Sequence, residues 1–439
     1  MTNSERRMVA GLVLVVGLLF APITWGRPFS FALRQAQGGG QRKSCRIAAA
    51  AEPITVIESK ADYSFAQQVT FTLHATSSDA EIEHVYLFFQ AAGDGQTTAE
   101  SVDFEPAREI NANYAYDLRV SPLPPFAIVT FWWQIEDAAG NVLNTESQPQ
   151  RFQYTDNRFR WEQLSPSAGS GHRADGLTVH WIEGHGDPAF GQAALDIARS
   201  SIEEMSTELG DLVTSTPPID IYIYDTQHNL DGAMMLAGRE WAVGQAHPEL
   251  GVVLIAIPFE DGYKSHMMRY IPHEVTHMLV YQAVTPTSYK YVPEWLDEGL
   301  ATANEQRPTP EYAVALEEAR VAGQFLPLDD LCVPFSPDPH TALLAYAQSS
   351  SVVQFVRERY GAEGIRALLR AYTNGASCAS GVQEALHVSL SSLEAAWRAS
   401  LEPQAPWRVW VEQVGVWVGL WLLSLLVALP MIGGLRRQR

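Results

Sequence analysis

The chain has 439 residues, with 30 Lys and Arg against 50 Asp and Glu, and the imbalance is concentrated in residues 51–410, which hold 20 basic and 48 acidic side chains. A surface of that sign repels phosphate backbones and anionic lipid, which excludes nucleic acid as a partner, and the length allows two or three domains. Cys45, Cys332 and Cys378 are too few for a disulfide scaffold and lack the spacing of a zinc ribbon, but Cys332 and Cys378 can form one bridge in an oxidising compartment.

Residues 1–26 place Arg6 and Arg7 ahead of an apolar run that ends at Trp25, the pattern of a signal peptide or signal anchor. Residues 27–51 are rich in Gly, Gln and Ala without a hydrophobic period and read as a disordered spacer. Cys45 follows Arg-Lys-Ser, unlike a lipid-attachment site. From 52 to 156 the chain alternates apolar and polar residues at 69–74, 85–89, 115–120 and 128–135, between clusters of Gly, Asp, Asn and Pro. Period-two segments spaced in this way predict an all-β sandwich of immunoglobulin or fibronectin type, without a Cys pair. Asp-Ala-Ala-Gly-Asn at 137–141 predicts a hairpin. The domain carries no evident chemistry and reads as a spacer or packing partner.

A second domain, 157–405, opens with strands expected at 177–182, 219–224 and 252–257 and a long amphipathic helix at 188–209. The pattern suggests an antiparallel-leaning sheet packed on helices. The helix that carries His273 is expected to include 263–268, and with Pro272 just before His273 it is expected to bend or to begin there. The remainder reads helical at 310–323, 341–360, 362–372 and 390–401, with Gly361 and Gly375 near helix ends. Residues 414–435 have no charge and precede Arg436, Arg437 and Arg439. That length predicts a transmembrane helix with the basic tail 436–439 in the cytoplasm and the acidic globular part outside.

The chemistry is concentrated between 271 and 301. His273 and His277 stand four apart in His-Glu-Val-Thr-His, so a helix presents both imidazoles to one ion, with Glu274 beside the ion as a base. Beyond His277, Pro293 can start a helix that brings Glu294, Asp297 and Glu298 to one face, with twenty residues separating His277 from Glu298. Three carboxylates there repel one another unless a cation is near. His180, His185, His247, His266, His340 and His387 lack ligand spacing and read as surface or satisfied core residues.

This combination, an HExxH helix followed by Trp-Leu-Asp-Glu-Gly-Leu-Ala, resembles the gluzincin peptidases of the MA clan, and within it the bacterial peptidase MA-like domain. The connection between the two motifs is longer than in the aminopeptidases of the clan. The resemblance spans roughly 177–401 and implies a thermolysin-like α+β catalytic domain with a helical C-terminal half. It also implies a Zn2+ cofactor on His273, His277 and Glu298, with Glu274 as general base. It further implies a Tyr or His downstream that donates to the oxyanion, for which Tyr346 in Ala-Tyr-Ala-Gln-Ser is the candidate, and a sheet edge within 243–257 that pairs with extended substrate. The expected protein is thus a membrane-anchored, extracytoplasmic zinc metallopeptidase that acts on a peptide or protein substrate. Its alternative is a catalytically silent zinc-binding, sensor or adhesion module at the cell surface. The sequence carries no signal for substrate preference or oligomeric state.

Overall fold

In the computed structural model, residues 53–93, 95–166, 176–215, 218–234 and 243–402 are described. The expected signal (1–26), the spacer (27–51), the membrane span (414–435) and the tail (436–439) lie outside them. Among the described residues, no helix is long and apolar enough to cross a membrane.

The first eight strands are β1 (Ile54–Ser64), β2 (Gln68–Ser77), β3 (Ile82–Ala91), β4 (Thr98–Ser101), β5 (Glu109–Asp117), β6 (Ile128–Asp137), β7 (Val142–Asn144) and β8 (Gln150–Gln153). They form a three-stranded sheet, β1-β2-β5, and a five-stranded one in which β6 pairs with β3, β7 and β8, and β3 with β4. Strict alternation buries Val69, Phe71, Leu73 and Ala75 of β2 against Leu87 and Phe89 of β3 and Phe131 and Trp133 of β6. The Phe71 ring lies 5.2 Å from both Phe89 and Phe131, so the two sheets share one core. The 137–141 hairpin forms as expected, with Asp137 Oδ1 accepting from the N–H groups of Ala139 and Asn141.

The next sheet has the order β12-β13-β11-β10-β9. It is built from β9 (Trp161–Leu164), β10 (Leu177–Ile182), β11 (Ile219–Tyr224), β12 (Gly244–His247) and β13 (Val252–Ala256). Its three central strands are parallel and only β9 and β12 run antiparallel, which corrects the antiparallel-leaning expectation. For β10 and β11 the cause is α1 (Pro188–Leu209), a crossover helix that returns the chain to the end of the sheet at which β10 began. Asp187 caps it by accepting from the N–H of Phe190 at 2.8 Å, with Pro188 in its first turn. A short helix, α2 (Gln227–Asp231), follows β11.

Parallel strands need cover on both faces. Ile219, Ile221, Ile223, Val253 and Ile255 turn toward α1 and α3 (Tyr263–Val284) and share their core. The alternate residues Tyr222, Tyr224, Val252, Leu254 and Ala256 belong to the core of the N-terminal sheets. Phe126 packs on Tyr222 with ring centroids 3.9 Å apart, and the buried Asp156 takes the hydroxyl hydrogen of Tyr224 at 2.9 Å. The N-terminal sheets are therefore the second cover of this sheet, a packing partner.

Helices complete the unit: α4 (Glu294–Ala303), α5 (Pro310–Ala322), α6 (Pro339–Thr373), α7 (Cys378–Leu386) and α8 (Leu390–Ser400). The two helices expected at 341–360 and 362–372 are both present within α6 and meet at a kink at Gly361, whose non-helical φ of 68° suits a residue without Cβ. Cys332 and Cys378 form a disulfide that ties the loop before α6 to the start of α7.

Candidate metal centre

Helix α3 runs unbroken through Pro272. A proline there leaves the carbonyl of Met268 without its helical donor. The backbone N–H groups of Gln306 and Arg307 supply the replacement, at 2.9 and 3.3 Å from that oxygen. The bond docks the segment after α4 onto α3, beside Asn304, which donates to Thr276 Oγ1 at 3.0 Å. On α4, Gly299 follows Glu298 because α4 lies close on α6: a Cβ at 299 would stand 2.7 Å from the Ser349 carbonyl oxygen and 2.8 Å from Val353. The glycine lets Glu298 reach α3.

The three expected ligands meet. Glu298 Oε2 lies 3.3 Å from His273 Nε2 and 3.5 Å from His277 Nε2, and the three donor atoms lie within 4.8 Å of one another. Donors bound tetrahedrally to zinc at about 2.0–2.1 Å stand about 3.3–3.4 Å apart. Glu298 Oε2 is buried and has no hydrogen-bond donor among the described residues. Two imidazoles and a carboxylate at these distances fit zinc. Glu294 does not join the group.

Each imidazole is held from behind. His273 Nδ1 lies 3.3 Å from Glu305 Oε1, and His277 Nδ1 lies 3.2 Å from Asp297 Oδ2, which also takes the Tyr289 hydroxyl hydrogen at 2.6 Å. Such carboxylates fix the tautomer and orientation of a ligand histidine. Burial opposes charge on both imidazoles. For His273, however, Glu298 and Glu305 reverse that effect and lift the pKa to about 9, and for His277 the Asp297 carboxylate raises it well above the usual range. Glu298 is likewise penalised by burial, but the two histidines hold its carboxyl well below the ordinary carboxylate range.

Glu274 lies against β12, the edge strand of the sheet. A Cβ at Gly244 would stand 2.6 Å from Glu274 Oε1, so only glycine allows this approach. Burial pushes the Glu274 carboxyl up, against the pull of His273 and His277. A cavity of about 650 Å³ opens here, lined by β12, by the metal-binding face of α3 and by Leu343 and Tyr346 of α6. Tyr346 directs its hydroxyl at Glu298 Oε1 at 3.4 Å, and its ring is met edge-on by Phe335 at 5.2 Å.

Sequence reasoning missed Glu305, Arg269, Tyr312 and His247, all of which line this cavity. Pro272 was the available signal for Glu305, since a proline inside a helix requires an outside donor for the carbonyl it frees. His247 was set aside for want of ligand spacing, and it is not one of the three ligands, but β12 carries it to the cavity wall.

Residues 198–403 match the family model of the Peptidase MA superfamily. No curated protein matches the chain. Among solved structures, similarity is found to native yeast LTA4 hydrolase, at 10% identity and a TM-score of 0.33, covering 82% of this chain and 68% of that one. It is also found to catalytically inactive OgpA from Akkermansia muciniphila in complex with an O-glycopeptide, at 9% identity and a TM-score of 0.19, covering 24% of this chain and 30% of that one.

Proposed function

We propose, starting from the membership of residues 198–403 in the Peptidase MA superfamily, that this protein is a zinc metallopeptidase of the gluzincin type. Its substrate would be a peptide or protein. The observation that carries the reading is the convergence of His273, His277 and Glu298 on one point, with the buried carboxylate of Glu274 beside it and a cavity in front.

Zinc, when bound, supplies Lewis acidity that acidifies water and polarises a carbonyl. The protein's own groups do the rest. The carboxylate of Glu274 takes the proton of the attacking water and delivers it to the departing amine, a task suited to a carboxyl whose burial raises its pKa. The hydroxyl of Tyr346 donates to the developing oxyanion. The edge of β12, which pairs with no further strand among the described residues, would offer backbone groups to an extended substrate lying beside Glu274. Asp297 and Glu305 keep the two imidazoles in place throughout.

The same reading places the catalytic unit outside the cytoplasm, held to the membrane by residues 414–435, and rests there on the sequence alone. Extraction of membranes at alkaline pH tests it: the anchored protein stays in the pellet, and full release into the supernatant overturns the anchor. For the activity, zinc content and hydrolysis of a peptide library are measured on the intact protein and on Glu274→Gln. The expected outcome is one zinc in both and turnover only in the former. Bound zinc with no turnover in either would leave a silent binding module.

A further inference from the structure

Arg269 lies on α3 one turn ahead of His273, about 6 Å along the axis, and lines the same cavity. Among the described residues that line it, Arg269 is the only lysine or arginine. Its setting differs from that of other arginines in this protein. The forks of Arg158 and Arg357 close on Asp156 and Glu208 with two bonds each, at 2.6 to 2.8 Å. Such bidentate pairing saturates the cation. Arg269 instead approaches Glu305 Oε2 through Nε at 3.4 Å and donates through Nη2 to the Tyr312 hydroxyl at 3.2 Å. Its Nη1 has no partner among the described residues.

What holds the guanidinium is aromatic. Its carbon stands 5.1 Å from the Tyr270 ring centroid and 5.4 Å from that of Tyr312, within the range of cation–π attraction. Glu305, shared between Arg269 and His273 Nδ1, ties the cation to the metal centre without closing its fork. A guanidinium fixed in this way keeps its outer edge for a planar anion, and the anion that pairs with such a fork is a carboxylate. An extended chain advances about 3.3 Å per residue, so a peptide whose reacting carbonyl is at the metal site brings a carboxylate to Arg269 within about two residues.

Resting on the peptidase reading, we propose that Arg269 is a specificity-determining residue that takes a carboxylate of the substrate within about two residues of the scissile bond. The carboxylate comes either from an Asp or Glu side chain or from the free C-terminus. Hydrogen bonds to charged groups contribute about 1.5–3 kcal/mol, which corresponds to a preference of roughly 10- to 100-fold.

The test uses matched fluorogenic peptides that differ only in Glu against Gln at each of the two positions on either side of the cleaved bond, and in a free against an amidated C-terminus. kcat/KM is compared for the intact protein, Arg269→Lys and Arg269→Met. Binding of the same peptides to Glu274→Gln and to Glu274→Gln/Arg269→Met is followed by fluorescence anisotropy, with zinc content measured for every variant. The expected result is a 10- to 100-fold preference for one carboxylate-bearing peptide, in hydrolysis and in binding, that collapses toward one in Arg269→Met and is partly kept in Arg269→Lys. A preference for Glu assigns the carboxylate to a side chain, and a preference for the free acid assigns it to the C-terminus. Cleavage without either preference in the intact protein overturns the role of Arg269 and leaves the peptidase reading standing, whereas neither binding nor cleavage of any peptide overturns both. A uniform loss across all peptides in Arg269→Met, with the preference intact, marks the residue as structural and also overturns the proposal.

Discussion

At the scale of single residues the centre separates ligands from the base. Glu298→Ala removes one of three donors and is expected to lower zinc affinity sharply. Glu274→Gln keeps all three and is expected to retain zinc while losing hydrolysis, as metal analysis of dialysed protein can check. Tyr346→Phe deletes one hydroxyl and keeps the ring against Phe335. A role at the oxyanion predicts a fall in kcat of about 100-fold or more, with zinc content and Tm unchanged, and unaltered kcat would return Tyr346 to packing. The histidines add a pH signature. In the metal-free fold His273 has a pKa raised from 6.5 to about 9, so its contribution to stability is complete below 6.5 and is lost as pH rises through 9. Zinc must displace that proton, so its affinity runs the other way. Chelator-treated protein should melt lower at pH 9.5 than at pH 6.5 while zinc titrations tighten over the same interval. Zinc binding that is indifferent to pH there would contradict protonated ligands.

At the scale of elements, short-range pattern was enough to find most pieces but not their arrangement. Strands β10 and β11 and helix α1 occupy the ranges that the apolar strand pattern and 3.6-residue periodicity indicate. The parallel order of the central strands was not legible, because an apolar run such as Ile219–Tyr224 is buried on both faces and alternation alone does not state its direction. The convergence of His273, His277 and Glu298 was legible because two are fixed by one helical turn and the third by a motif. Glu305 was not, since it reaches His273 only after the Gln306 and Arg307 amides dock on the carbonyl freed by Pro272. Gly244 belongs with these unread contacts. Gly244→Ala sets a methyl 2.6 Å from Glu274 Oε1 and 3.1 Å from its Cγ and Cδ, so the base must shift. The expected result is a loss of kcat of tenfold or more with zinc retained, since a displacement near 1 Å in a reacting group costs about 100-fold in rate.

At the scale of the molecule, the N-terminal sheets and the metal centre are joined through one sheet. Tyr222, Tyr224, Leu254 and Ala256 are buried under the core that contains Phe126 and Phe131, while their neighbours in sequence, Ile221, Ile223, Val253 and Ile255, pack on the helices that carry the ligands. The contact reaches the cavity itself: a Cβ at Gly93, in the turn after β3, would stand 3.2 Å from Glu249, which lines the site beside β12. A chain that begins after residue 156 therefore bares much of one face of this sheet: Tyr222 and Tyr224 keep Trp161 and Phe159 but lose Phe126 and Asp156. Tyr222, Tyr224, Val252, Leu254 and Ala256, partly bared together, form the kind of contiguous apolar patch that monomeric proteins rarely expose. The expected outcome for a 157–402 fragment is aggregation, or binding of a hydrophobic dye with loss of zinc, whereas a 53–402 fragment keeps both its solubility and its metal. The Cys332–Cys378 bridge links the segment before α6 to α7 over a separation of 46 residues, worth about 4 kcal/mol by chain entropy. Reduction should lower the Tm of the 53–402 fragment without exposing the sheet, so dye binding distinguishes the two losses. A soluble, zinc-loaded 157–402 fragment that hydrolyses peptides at the rate of the longer one would show that the N-terminal sheets are dispensable for holding β12 and the base beneath it.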